Sequence, residues 1–117
     1  MADIRGGVWA LRSLRVARRS LAHDPLAPLD LPPVPEDPAG ERGVAFALGR
    51  ARATCLERVS IQQEWLLAHG IERDVIIGVT GPRDFTAHAW LDGDGDSRDH
   101  QEIMRRRPRP GRPVSGT

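Results

Sequence analysis

The chain has 117 residues, 39% of them apolar, and its 17 basic and 16 acidic side chains leave a formal net charge of +1. This length allows one small domain with appendages and excludes a second full domain, and the balanced charge excludes a polyelectrolyte. No apolar run reaches the roughly 18 residues that span a bilayer, and no signal peptide opens the chain, so we expect a cytoplasmic protein.

The first forty residues predict a helix followed by a connector. Residues 8–22 combine an apolar stripe with arginines on the other side, which predicts a basic amphipathic helix within a first segment, 1–23. The stripe suits packing on the rest of the domain or docking on a partner, and membrane association is the less favoured interpretation. Residues 24–40 are rich in proline, which lacks a backbone N–H and restricts the residue before it, and they are predicted to be a linker. The apolar stripe of the predicted helix 8–22 consists of Leu11, Leu14, Ala17 and Leu21.

A folded domain is predicted over residues 41–104. It begins with two helices, 41–52 and 54–69, whose apolar residues recur with helical spacing. Residues 74–79 form a nearly continuous β-branched and apolar run, which predicts a strand over 73–80 that is covered on both faces. Residues 84–92 instead alternate between two faces and follow a Gly-Pro turn, which predicts a hairpin. The expected fold class is therefore α+β, with helices packed on a small antiparallel sheet.

Cys55, the single cysteine, is the first candidate for chemistry. Thr54 and Glu57 form the T-x-x-E pattern of a capping box, which starts the second helix at Cys55. A helix start favours negative charge, so a thiol there is enriched in nucleophilic thiolate, and its backbone N–H can stabilise an oxyanion. The alternative is a buried, inert cysteine, since free cysteine is among the most buried residue types. A single cysteine excludes an internal disulfide and a cysteine-based zinc cluster.

A cysteine nucleophile needs a general base, and His88 is the best placed of four histidines. It lies in the second strand between small alanines, and the two-residue period puts it on the face opposite Ala87, Ala89 and Leu91. The alternative is an ordinary core or sheet-surface histidine. The others are weaker candidates, because they precede the linker, end the helix of the nucleophile or lie in an acidic loop: His23, His69 and His100.

The loop after the second strand supplies acids that could orient the imidazole of His88. Its D-x-D-x-D run also resembles a calcium loop, but Ser97 replaces the required glycine and Ile103 the bidentate glutamate, so we expect no calcium site. A solvated turn is the alternative role for most of these acids. The residues alone leave the choice open among Asp92, Asp94, Asp96, Asp99 and Glu102.

Three segments within residues 41–102 together resemble one known family. They read TCLERVSIQQEWLLAHGI, VIIGV and FTAHAWLDGDG, in that order along the chain. This combination resembles the transglutaminase-like leader peptidases of lasso-peptide biosynthesis, the B proteins of the microcin-maturation type. The resemblance implies a minimal papain- or transglutaminase-like core that uses no cofactor and no metal. It also implies that Cys55 is the nucleophile, His88 the base and Asp99 the orienting acid.

The resemblance further implies a reaction and its partners. It predicts a cysteine peptidase that removes the leader from a ribosomally synthesised precursor peptide of the lasso type by acyl transfer and hydrolysis. A separate leader-recognition protein would deliver the precursor, and an ATP-dependent cyclase would close the lasso ring. Two alternatives remain. One is a transglutaminase-type acyltransferase, which uses the same residues, and the other is a degenerate, non-catalytic binding or scaffold protein of the same fold.

The last segment, residues 105–117, is predicted to be a disordered tail. It combines prolines with five arginines and contains no acid, and the stretch between Gly95 and this tail is poor in strand-forming residues. Clustered arginines attract nucleic acid, but no aromatic residue accompanies them for base stacking, so we expect no nucleic-acid partner.

Overall fold

Helices form the N-terminal half of the protein and a small sheet forms the C-terminal half. A computed structural model describes residues 1–24, 29–79, 87–93 and 101–108. Within these ranges the predicted α+β fold is confirmed, and each predicted helix and strand is present with somewhat different bounds. The elements are α1 (Ala2–His23), a 3-10 turn (Pro38–Gly40), α2 (Glu41–Arg50), α3 (Cys55–Ala68), β1 (Val75–Val79), β2 (Ala87–Leu91) and β3 (Gln101–Arg106).

The sheet has the order β2-β1-β3, and the central strand β1 pairs antiparallel with both neighbours. Residues Val75 to Gly78 are buried, which confirms the expectation of a strand covered on both faces. Gly78 stands in register with His88 on one side and with Glu102 on the other. The antiparallel pairing of β1 and β2 agrees with the predicted hairpin, and its turn lies outside the described residues.

Strand β3 differs from the sequence prediction, which placed residues 105 and 106 in a tail. The strand extends to Arg106, whose Nε donates to Gln63 Oε1 at 3.1 Å. Gln63 Nε2 in turn lies 2.9 Å from the carbonyl oxygens of both Arg73 and Arg106. Pairing with β1 and this buried contact with α3 hold a segment of weak strand propensity in the sheet, because tertiary contacts override intrinsic propensity.

Helices α1 and α2 approach closely because glycines line their contact. A Cβ atom on Gly6 would overlap the carbonyl oxygen of Gly40, and one on Gly43 would overlap the carbonyl oxygen of Asp3. Helix α1 therefore packs as an integral part of the domain. Of its predicted stripe, Leu14 and Ala17 are buried and Leu21 is partly buried, whereas Leu11 is exposed.

Two hydrophobic clusters result, and we call them the helical core and the sheet core. The helical core joins α1, α2 and α3, and the sheet core joins α3 to β1 and β2. Large buried members of the helical core are Trp9, Leu14, Leu48, Ile61 and Trp65, and the buried members of the sheet core are Val59, Val75, Ile77, Ala89 and Leu91.

The proline-rich segment, predicted as a linker, packs on the helices over its described part. Trp9 Nε1 donates to the carbonyl oxygen of Pro32 at 2.9 Å. The ring nitrogens of His69 lie 2.7 Å from the carbonyl oxygen of Trp65 and 3.0 Å from that of Pro35, so His69 serves as a structural tie. Three apolar side chains of the segment are buried in the helical core: Leu29, Leu31 and Val34.

Candidate active site

The start of α3 is held by the predicted capping box. Thr54 Oγ1 accepts a hydrogen bond from the backbone N–H of Glu57 at 3.2 Å, and Glu57 Oε1 accepts one from the backbone N–H of Thr54 at 2.9 Å. The other carboxylate oxygen of Glu57 accepts from Arg18 Nε of α1, also at 3.2 Å. The helix therefore begins at Cys55, as predicted, and its first turn is tied to a second helix.

Cys55 is a free, partly buried thiol at the first position of α3. It packs, together with Leu56, against the sheet core. The capping box uses the N–H groups of Thr54 and Glu57, and the Arg58 N–H donates to the carbonyl oxygen of Thr54. The N–H groups of Cys55 and Leu56 lie at the positive end of the helix, where they can donate to an oxyanion.

His88 lies on β2, an edge strand of the described sheet. Ala89 and Leu91 are buried in the sheet core and His88 is exposed, as the predicted alternation requires, whereas Ala87 at the start of the strand is exposed as well. The imidazole stacks on Trp90, the next residue on the same face, with ring centroids 6.1 Å apart and an interplanar angle of 22°. The face of β2 that carries His88 is therefore the one turned away from the sheet core.

The elements that carry Cys55 and His88 are in contact. Helix α3 packs on β2, and Cys55 contacts the same cluster as Ala89, the residue that follows His88. The Cys55 thiol packs against this cluster, whereas the His88 side chain lies on the opposite face of β2, an edge strand of the described sheet. Helix α3 and strand β2 are thus in contact, the thiol and the imidazole lie on different faces of β2, and their pairing stays a prediction.

Two of the five candidate acids are bound to Arg105, a residue of the predicted tail. Arg105 lies 2.7 and 3.1 Å from the two carboxylate oxygens of Glu102 and 3.3 Å from Asp92 Oδ2, and it also donates to Asp74 at 2.8 Å. The hydrogen bonds from Arg105 lower the pKa of Glu102, and those carboxylates raise the pKa of the arginine. No sequence signal identified Arg105, because only the register of β3 brings these acids to it.

Neither of these acids is placed to orient His88 as its main partner. Glu102 is separated from His88 by Gly78 and thus by two strand spacings, about 10 Å. Asp92 follows β2 and turns to Arg105. The other three acids, Asp94, Asp96 and Asp99, lie outside the described residues, and so does the histidine at position 100.

The described part of the chain contains neither a metal-binding group nor a membrane-spanning helix. No group of three or more histidine, cysteine, aspartate or glutamate side chains is arranged there to hold a metal ion. None of the helices there combines the length and the apolar character that crossing a bilayer requires.

Comparison with known proteins places the whole arrangement in a family. A family model described as the transglutaminase-like superfamily matches residues 7–108, from α1 to just beyond β3. No curated protein and no solved structure matches the chain. The match spans the helices, the capped cysteine and all three strands, and the superfamily contains cysteine peptidases and acyltransferases. On this match, and with an α+β core of the kind that the family implies, the chain belongs to the transglutaminase-like superfamily.

Proposed function

We propose that this protein is a cysteine peptidase that removes the leader from a ribosomally synthesised precursor peptide of the lasso type. The observation that carries the proposal is the position of the single cysteine. Cys55 is a partly exposed thiol at the capped first position of α3, and it packs beside the strand that contains His88. Membership of a superfamily that contains cysteine peptidases supports the cysteine peptidase activity, whereas the lasso-type substrate rests on the family resemblance.

In the proposed reaction, His88 takes the proton of the Cys55 thiol, and the sulfur attacks the carbonyl carbon of the scissile peptide bond. The resulting oxyanion accepts hydrogen bonds from the N–H groups of Cys55 and Leu56 at the start of α3. The C–N bond then breaks, His88 gives a proton to the leaving amine, and a thioester remains on Cys55. Water, activated by His88, hydrolyses the thioester and releases the acid product.

The roles of His88 and Asp99 rest on the family resemblance and on the position of β2. Strand β2 packs against α3, the helix that begins with Cys55. Arg105 engages Asp92 and Glu102, which leaves Asp94, Asp96 and Asp99 among the candidate acids, and the family resemblance assigns the role to Asp99. As part of the proposal, a separate recognition protein delivers the leader and an ATP-dependent cyclase uses the released core peptide.

The test is cleavage of a lasso-type precursor by the purified protein, supplied with a leader-recognition protein and followed by mass spectrometry. We expect two products whose masses sum to the precursor plus one water. Cys55→Ala should abolish them, and His88→Ala should slow their formation by about 10²–10⁴-fold, the usual contribution of a general base. His23→Ala is the matched control, because His23 is exposed at the end of α1.

Three other outcomes would decide against the proposal. Undiminished cleavage by Cys55→Ala would assign the protein a binding or scaffold role. A product extended by an added primary amine, formed faster than the hydrolysed one, would identify an acyltransferase instead. Undiminished cleavage by His88→Ala would remove His88 from the mechanism.

A further inference from the structure

An apolar groove lies between α1 and α2, away from the sheet core that contains Cys55. Its cavity volume is about 790 Å³. The close glycine contact between the helices forms its floor, where Gly7, Gly43 and Ala47 offer little side-chain bulk. Four large apolar side chains line it and remain exposed: Ile4 (66%), Val8 (46%), Leu11 (48%) and Phe46 (70%).

The two walls of the groove differ in chemistry. On α1, Ile4, Val8 and Leu11 follow the i, i+4, i+7 spacing of one helix face and form an apolar stripe about 10 Å long. On α2, Phe46 lies one turn from Arg42 and one turn from Arg50, so this wall carries a positive charge on each side of an aromatic ring. Within the described ranges, neither arginine is part of an ion pair.

We propose that this groove binds an acidic amphipathic helix of a partner protein. An apolar stripe beside a second helix matches the way in which amphipathic helices dock, through residues at i, i+3 or i+4 and i+7. By charge complementarity, Arg42 and Arg50 favour a partner helix that carries glutamates or aspartates beside its own apolar residues. The one acid of the lining, Asp3, lies on the opposite wall and leaves the groove with a net positive charge.

Charge also decides against a second copy of this chain as the occupant. Two grooves facing each other would bring together four arginines and only two aspartates, and this excess of like charge opposes association. The acidic helix proposed here neutralises those arginines while it covers the phenylalanine. The proposal concerns binding alone and does not depend on the chemistry assigned to Cys55.

The probe for this test is a synthetic amphipathic peptide of about 16 residues, long enough to form a helix on binding. It carries leucines at i, i+4 and i+7 with glutamates beside them, and the control peptide carries lysines in place of the glutamates. Fluorescence anisotropy of the labelled peptides should give at least about tenfold tighter binding of the acidic peptide. Cys55→Ala should bind it with unchanged affinity.

Variants locate the binding to the groove. Phe46→Ala and the double charge reversal Arg42→Glu with Arg50→Glu should each weaken binding about tenfold, since one removes the apolar anchor and the other replaces attraction by repulsion. Arg15→Glu with Arg19→Glu makes the same change in net charge on exposed α1 positions outside the groove and should have less than about a twofold effect. Circular dichroism checks that all variants remain folded.

Several results would overturn the proposal. Equal affinity for the acidic and basic peptides would remove the charge argument, and an equal effect of both double reversals would mean that net charge alone drives binding. A dimer that Phe46→Ala dissolves, measured by sedimentation, would assign the groove to a second copy. Binding to phosphatidylglycerol vesicles that Phe46→Ala abolishes, without peptide binding, would assign it to a lipid surface.

Discussion

Replacement of Thr54 by alanine tests whether the capping box fixes the start of the helix that carries Cys55. The substitution removes the hydroxyl oxygen that accepts from the Glu57 N–H at 3.2 Å. The Glu57 carboxylate keeps its hydrogen bond from the Thr54 backbone, 2.9 Å, and its ion pair with Arg18. One of the two reciprocal hydrogen bonds is therefore lost and the other persists.

The loss of an N-cap side chain costs about 1 kcal/mol in the free energy of unfolding, within a range of about 0.5–2 kcal/mol. For a domain of about 100 residues, 1 kcal/mol corresponds to a fall in Tm of about 4–8 °C. Thermal unfolding followed by circular dichroism measures this change directly. Thr54→Ser is the matched control, because serine keeps the acceptor oxygen and should unfold within about 2 °C of the wild type. Equal melting temperatures for the alanine and serine variants would refute the role of the cap.

Two further predictions concern the helix contact and the sheet surface. Gly43→Ala should destabilise the fold by about 1–3 kcal/mol, because its Cβ would overlap the Asp3 carbonyl. The control Gly49→Ala, in open space on the same helix, should be neutral or stabilising by up to about 1 kcal/mol. Equal denaturation midpoints for the two variants would contradict the close contact between α1 and α2. Arg105→Gln should lower stability at neutral pH, and this loss should disappear in acid. The lowered pKa of Glu102 means that its stabilising contribution is present above the ordinary value of 4.5 and is lost as the pH falls through the folded-state pKa. If the melting temperature of Arg105→Gln lay below that of the wild type by the same amount at neutral and at acidic pH, the ion pair between Arg105 and Glu102 would not explain the difference.

Local signals in the sequence predicted much of the fold. The T-x-x-E pattern placed the start of α3 at Cys55, because both hydrogen bonds of a capping box join residues three positions apart. Gly70, just after this helix, has a φ of 84°, the left-handed conformation in which glycine commonly ends a helix. The two-residue period of β2 predicted the burial of Ala89 and Leu91, since alternation is a property of any strand, but not the exposure of Ala87 at the start of the strand.

Contacts between distant segments could not be predicted in the same way. The sequence QEIMRR carries no strong strand pattern, and β3 forms because β1 offers a free edge and Gln63 binds Arg106. The glycine contact of α1 with α2 and the burial of Leu29 likewise depend on tertiary packing. For the site, composition and capping identified Cys55, whereas the acid depends on how the loop after β2 returns to the sheet. Asp99 therefore stays a prediction from resemblance.

The central claim is that the imidazole of His88 activates the thiol of Cys55. The most direct measurement is the rate at which iodoacetamide alkylates Cys55 at neutral pH in the wild type, in His88→Gln and in the control His23→Gln. We predict that His88→Gln slows alkylation at least about tenfold and that His23→Gln leaves it unchanged, because His88→Gln lacks the base that accepts the thiol proton. Equal rates in all three proteins would contradict the claim.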